Sequence, residues 1–123
     1  MTAPRRITIR TDDAGDVTFT DPAWCGIEHT DGTIRADISH MGENEHHRVP
    51  TSIGEVVITT GVGKYEYGTA AYTRPYLVVE VDVAVYPDTA ELLEETAAAL
   101  EECARLTRSL GPRLARLLEE DGR

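Results

Sequence analysis

The sequence predicts an α+β fold: a curved antiparallel sheet with a long C-terminal helix packed on one face. Three observations carry this. Period-two alternation recurs through the chain up to residue 86. Within it, Leu77, Val79, Val81, Val83 and Val85 form an unbroken apolar row. Beyond it, residues 88–110 place apolar side chains three and four apart. Runs of strands followed by helices mark an α+β chain rather than a wound parallel sheet.

Residues 6–11 alternate, with Ile7 and Ile9 on one face and Arg6, Thr8 and Arg10 on the other. Asp12-Asp13-Ala14-Gly15-Asp16 is turn chemistry, and 17–20 alternates again, so the two segments form a hairpin. Asp21-Pro22 ends it, because proline has no N–H for a ladder. Gly26, Asp31 and Gly32 mark 22–33 as a loop. Residues 34–40 read as a strand with Ile34, Ala36, Ile38 and His40 on one face, and 46–50 as its return. Residues 55–60 are valine-rich and β-branched, hence a strand, which Gly61-Val62-Gly63 is expected to break. Residues 64–72 carry Tyr65, Tyr67 and Tyr72 but also Gly68, the pattern of a weak edge strand or a loop. The segment 76–86 is the strongest strand, one face dry and the other wet. Val81 is expected to be buried under the helix, where an added charge would cost several kcal/mol.

Asp88 reads as the helix N-cap, and Glu91 three residues on completes a capping box. Leu93, Thr96, Leu100, Cys103, Thr107 and Leu110 form the stripe, widened by Leu92, Ala97 and Leu106. Glutamates fill the early turns and Arg105 and Arg108 the last, which complements the helix dipole. Gly111-Pro112 interrupts it, and Pro112 suits the first turn of a short second helix bearing Leu114, Leu117 and Leu118. The 123 residues are read as one domain, with 1–5 frayed and 112–123 a short terminal helix and tail.

Charge excludes several functions. With 22 acidic and 12 basic residues the formal charge is −10, which opposes direct nucleic-acid binding and docking on anionic lipid. It favours solubility, or a basic partner. No apolar run approaches the ~20 residues of a membrane span, and no apolar stretch follows Arg5-Arg6 as a secretory signal would require. A cytoplasmic setting is therefore expected, with Cys25 and Cys103 reduced.

Chemistry concentrates in one stretch. Trp24, Cys25 and all four histidines, His29, His40, His46 and His47, lie between residues 24 and 47. Zinc takes thiolate and imidazole in a tetrahedron. Cys25-x3-His29 is a pair that one loop turn can converge, and His40 ends a strand. These three are read as a zinc site, with His47, His46, Asp21 or water as the fourth ligand; His47 completes the expected set. The competing reading makes Cys25 a small buried hydrophobe and the histidines polar hairpin residues. Trp24, Tyr65 and Tyr67 are the candidate binding surface, since tyrosine is enriched in recognition patches. Gly61-x-Gly63-Lys64 has neither the spacing nor the following helix of a phosphate loop.

Pro22-Ala23-Trp24-Cys25, His29, Asp37-Ile38-Ser39-His40 with Gly42 after it, and the Ala/Leu/Glu-rich helix carry a resemblance. The chain resembles a family of small uncharacterised actinobacterial proteins, a domain of unknown function. The resemblance covers most of the chain. It implies a host or phage setting and treats Cys25, His29 and His40 as a unit, but implies no activity. Members often read Cys-Pro-x-Trp-Cys; here Asp21 stands at the first cysteine, leaving an oxygen ligand.

Together these readings predict a small non-enzymatic module, stabilised by zinc, that binds a protein partner as a monomer or homodimer. Two alternatives are carried. One is a metal- or cysteine-dependent hydrolase, with Cys25 activated by a histidine. The other is an acidic inhibitor mimicking nucleic acid, in which Glu94, Glu95, Glu101 and Glu102 line one ridge.

Overall fold

The computed structural model describes residues 3–122. Met1 and Thr2 of the expected frayed end, and Arg123 of the expected tail, lie outside the described residues. Strand β1 (Arg5–Thr11) and β2 (Gly15–Asp21) form the hairpin, in register from Arg5↔Asp21 to Thr11↔Gly15. Gly15 takes the positive φ of 68° that closes the turn. A second sheet holds β3 (Ser39–Met41), β4 (Glu45–Thr51), β5 (Gly54–Tyr65) and β6 (Tyr76–Val83). All its pairings are antiparallel. β5 has β3 and β4 on one side and β6 on the other. Helices α1 (Ala90–Arg108) and α2 (Gly111–Glu120) follow. The α+β class and the long helix on a sheet face are as the sequence predicts.

Two cores hold this arrangement. Val56 and Ile58 of β5, wholly buried, pack on Ala99 and Cys103 of α1, with Val49 and Leu106 at the margin. Ile9 and Phe19 of the hairpin pack on Ile38, flanked by Ile7, Val17 and Tyr67. The segment between hairpin and sheet is thereby anchored on the hairpin through Ile38.

Several expectations are corrected. Residues 34–40 are not one strand: Arg35–Asp37 form a 3-10 turn, and only Ser39–Met41 pair, with β5. The backbone N–H of Arg35 bonds the Asp13 carboxylate, which competes with extended pairing there. Gly61 and Gly63 do not break β5. The Tyr76 ring lies across Gly63, where a Cβ would sit 2.9 Å from it, and a Cβ on Gly61 would overlap the Asn44 amide. The glycines make room for cross-strand neighbours. Residues 66–75 form a loop closed by the Tyr65 N–H on the Tyr72 carbonyl, 2.8 Å. The helix cap is Thr89, not Asp88: its hydroxyl accepts from the Leu92 N–H at 3.1 Å.

The row on β6 is the largest departure. Val79, Val81 and Val83 oppose Thr60, Ile58 and Val56, so they share the helix-facing side of the sheet. Yet they are 39, 45 and 44 % exposed. Helix α1 lies over β4 and β5, with Thr96, Ala99 and Cys103 inward, and stops short of β6. Leu93 and Leu100, expected on the buried stripe, are 57 and 40 % exposed. A charge at Val81 is therefore cheap. Val81→Lys should melt within about 0.5 kcal/mol of the parent, as surface changes do.

Candidate metal centre

Four side chains from three segments meet beside Phe19 of the hairpin core. Asp21 is the last residue of β2. Cys25 and His29 come from the loop after it, and His40 is the middle residue of β3. The loop is pinned at both ends. The Gly26 N–H donates to the Met41 carbonyl of β3 at 2.8 Å, and the Cys25 N–H to the Pro22 carbonyl at 3.0 Å. Farther on, the Arg10 N–H of β1 donates to the Asp31 carboxylate at 2.8 Å, and Gly32 N–H to the Arg10 carbonyl. Chain ties on β1 and β3 thus bring Cys25 and His29 against Asp21 and His40.

The donor atoms are tightly grouped. Asp21 Oδ1 lies 3.0 Å from His29 Nε2 and 3.0 Å from His40 Nδ1, and Cys25 Sγ lies 3.7 Å from His29 Nε2. One donor atom from each of the four residues falls within 4.8 Å of every other. Ligand atoms on a tetrahedral zinc stand about 3.3–3.8 Å apart, given its ~2.0–2.3 Å bonds. The group matches that spacing with small adjustments. Three of the four are shielded from water, with side-chain exposure of 2 % at Asp21, 5 % at His29 and 0 % at His40, and Cys25 is half-buried. Phe19 lays its ring edge-on to both imidazoles, with centroids 5.0 and 5.6 Å away, and Trp24 approaches His40 at 6.4 Å.

Hydrogen-bond counting asks for a cation here. His40 Nδ1 faces Asp21, and His40 Nε2 lies 3.0 Å from Glu66 Oε2. Both ring nitrogens meet carboxylate oxygens, and a neutral imidazole has a single N–H. Satisfying both takes a positive charge on the ring: a second N–H proton, or a metal ion at Nδ1 with Nε2–H donating to Glu66. The latter is the carboxylate–histidine–metal arrangement that fixes the ligand tautomer.

Electrostatics bear on reactivity. Burial pushes the Asp21 carboxyl up, but hydrogen bonds from Cys25, His29 and His40 outweigh it and hold the group below the usual carboxylate range. Arg5 reaches Asp21 Oδ2 at 3.4 Å from the solvent side. Burial, and then the neighbouring Asp21, push the Cys25 thiol above its ordinary value. A thiol in that state is a poor nucleophile, whereas a bound metal takes the proton off outright.

Cys25, His29, His40 and Asp21, four of the residues weighed from sequence, are brought together. His46 and His47 are not. Both lie on β4, paired with Thr59 and Ile58, and His47 stands beside Glu45 at 4.0 Å with its side chain 47 % exposed. Asp21 takes the fourth place expected of His47, because β4 pairs the far stretch of β5, residues 54–60, while β3 pairs its end. Of the candidate binding surface, Tyr65 is 39 % exposed and edge-on to Tyr72. Tyr67 packs on the hairpin core beneath the Arg35 guanidinium, 4.0 Å from its ring centroid. Trp24 is half-buried against Gly42, beside a cleft of about 760 Å³ shared with Pro4, Pro22, Lys64 and Asp121.

Sequence reasoning missed Glu66. It lies 26 residues from His40, and the ladder Ser39↔Tyr65 with the Glu66 N–H on the Ile38 carbonyl, 3.0 Å, brings it there. Glu66→Gln keeps the shape but weakens the acceptor. It should lower zinc affinity about 10–100-fold in a competition titration while the melting temperature of the metal-free form stays unchanged.

Among known proteins, a family model described as a domain of unknown function (DUF6907) matches residues 6–116. No curated protein matches the chain. No solved structure matches it. No helix among the described residues is long and apolar enough to cross a membrane.

Proposed function

The chain belongs to the DUF6907 family of unknown function, and we propose that it is a small binding module, one domain whose loop is locked by a structural zinc ion. The observation that carries this is the convergence of Asp21, Cys25, His29 and His40, with Asp21 and His40 buried and Cys25 and His29 half-buried. Four protein donors complete a tetrahedron, which is the pattern of structural rather than catalytic sites. The module acts through a protein partner. The −10 charge supports a basic one, and the motif resemblance supports an actinobacterial or phage setting.

The alternatives are less well supported. A metal hydrolase needs an open coordination position, and a cysteine hydrolase an activated thiol; the donor set is full and the Cys25 thiol is raised. For the acidic mimic, the four glutamates do not act as one ridge. Glu95 accepts from Ser52 at 2.7 Å and Glu102 pairs with Arg105, about a quarter turn from Glu94 and Glu101.

Elemental analysis of protein purified without a histidine tag tests the reading. One zinc per chain is expected. Metal-free protein that keeps its melting temperature in chelator would overturn it.

A further inference from the structure

The outer edge of β6 is an unusual surface. Among the described residues β6 pairs only with β5, so its other edge has no strand beside it. Its first residues, Tyr76 and Leu77, line a hollow with Leu114 and Leu118 of α2. Residues 79–83 have no such neighbour and are all exposed. On one face stand Val79, Val81 and Val83; on the other, Glu80 and Asp82.

The apolar face has a wall. Glu95 of α1 reaches Ser52 at the β4–β5 turn, and Glu102 borders a hollow with β4. Leu93 and Leu100 lie two and five residues from Glu95, which at about 100° per residue turns them to the opposite flank, away from β4. Five exposed apolar side chains, Val79, Val81 and Val83 on the strand and Leu93 and Leu100 on the helix flank, are therefore left without cover. An exposed edge with valines on one side is a template for another strand.

Charge selects the occupant. A second copy pairing antiparallel about a twofold would place same-parity residues opposite each other. Every such register confined to 79–83 that pairs at least three residues sets acid against acid: Glu80 on Glu80, Glu80 on Asp82, or Asp82 on Asp82. Like charges directly opposite are destabilising, and each copy adds a charge of −10. A strand with arginine or lysine opposite Glu80 and Asp82, and apolar residues opposite the valines, meets no such penalty. We infer that the free edge of β6 receives an extended segment of a partner protein alternating apolar and basic residues, seated between Val81 and the Leu93–Leu100 flank. This rests on the reading of the protein as a binding module and names its docking surface.

The test is a titration of zinc-analysed, ¹⁵N-labelled protein with a blocked peptide of about eight residues alternating valine and arginine. Amide shifts confined to 79–83 and the Leu93–Leu100 flank are expected, weakening as salt rises. A valine–glutamate peptide should bind at least tenfold more weakly. The double variant Glu80→Lys, Asp82→Lys, altered only at exposed positions, should reverse that preference. Equal binding of both peptides, shifts centred elsewhere, or concentration-dependent self-association through β6 would overturn the proposal. Zinc content is read on the same sample, so failure of the metal reading is seen separately.

Discussion

Cys25→Ser should lower the melting temperature by roughly 12–20 °C, and chelator should do the same to the parent protein. Zinc binding to a site absent from the unfolded chain is itself folding free energy. Between its ties at Gly26 and Asp31 the loop has few other anchors: Glu28 and Thr30 are exposed. Serine is a weak zinc ligand, so its substitution removes one of four bonds and releases the loop. A loss of about 4 kcal/mol is a large share of a domain's ~5–15 kcal/mol. At about 3–5 °C per kcal/mol for a chain of this size, that gives the stated shift. Cys103 is the control. It is buried in the α1 core, so Cys103→Ala should cost about 1 kcal/mol and leave zinc content unchanged. Chelator should destabilise Cys103→Ala as it does the parent, and add nothing to Cys25→Ser. Equal melting temperatures for Cys25→Ser and the parent would exclude a structural metal.

What could be read from residues alone follows from the range of each interaction. The hairpin is local: alternation in β1 and β2 and the turn at Gly15 sit within a short stretch, and the observed register matches them. The helix pattern is legible too, and Thr96 and Cys103 of the expected stripe face inward, but the exposure of its leucines is not legible. Leu93 and Leu100 look like core on a wheel, yet Thr96, Ala99 and Cys103 face the sheet, because α1 crosses β4 and β5. Small residues there let the helix approach Val56 and Ile58 closely, and nothing in the periodicity distinguishes that from a leucine stripe. The same placement exposes Val81. At the metal centre, Cys25 and His29 are close in sequence, and His40 stands out by type. Choosing Asp21 over His47 required knowing that β5 pairs with β3 through residues 63–65 and with β4 through 54–60. Glu66 depended on that register as well. Contacts set by strand pairing across many residues are the ones a single sequence hides.

Phe19→Ala is expected to cost about 3–5 kcal/mol and to weaken zinc binding in the same protein. Phe19 is 4 % exposed, filling the hairpin core with Ile9 and Ile38. Its ring edge also meets His29 and His40, which meet each other edge-on at 5.2 Å. Removing the ring opens a cavity and frees both imidazoles to rotate, so the ligand geometry must be ordered at the moment of binding. Zinc affinity should fall about tenfold, the lower range for a lost supporting group. Ile58→Ala provides the comparison. Ile58 is wholly buried in the other core, so the stability loss should be similar, about 2–5 kcal/mol. That core includes none of the four ligands, and distant sites are additive, so zinc affinity should stay at the parent value. Phe19→Leu keeps most of the volume and loses the edge contacts. It should cost under about 1.5 kcal/mol yet retain part of the affinity defect. Calorimetric melting and a zinc competition titration on the three variants separate the two roles of the ring. If Phe19→Ala and Ile58→Ala shift zinc affinity alike, Phe19 supports the fold only, and the hairpin core does not hold the imidazoles in place.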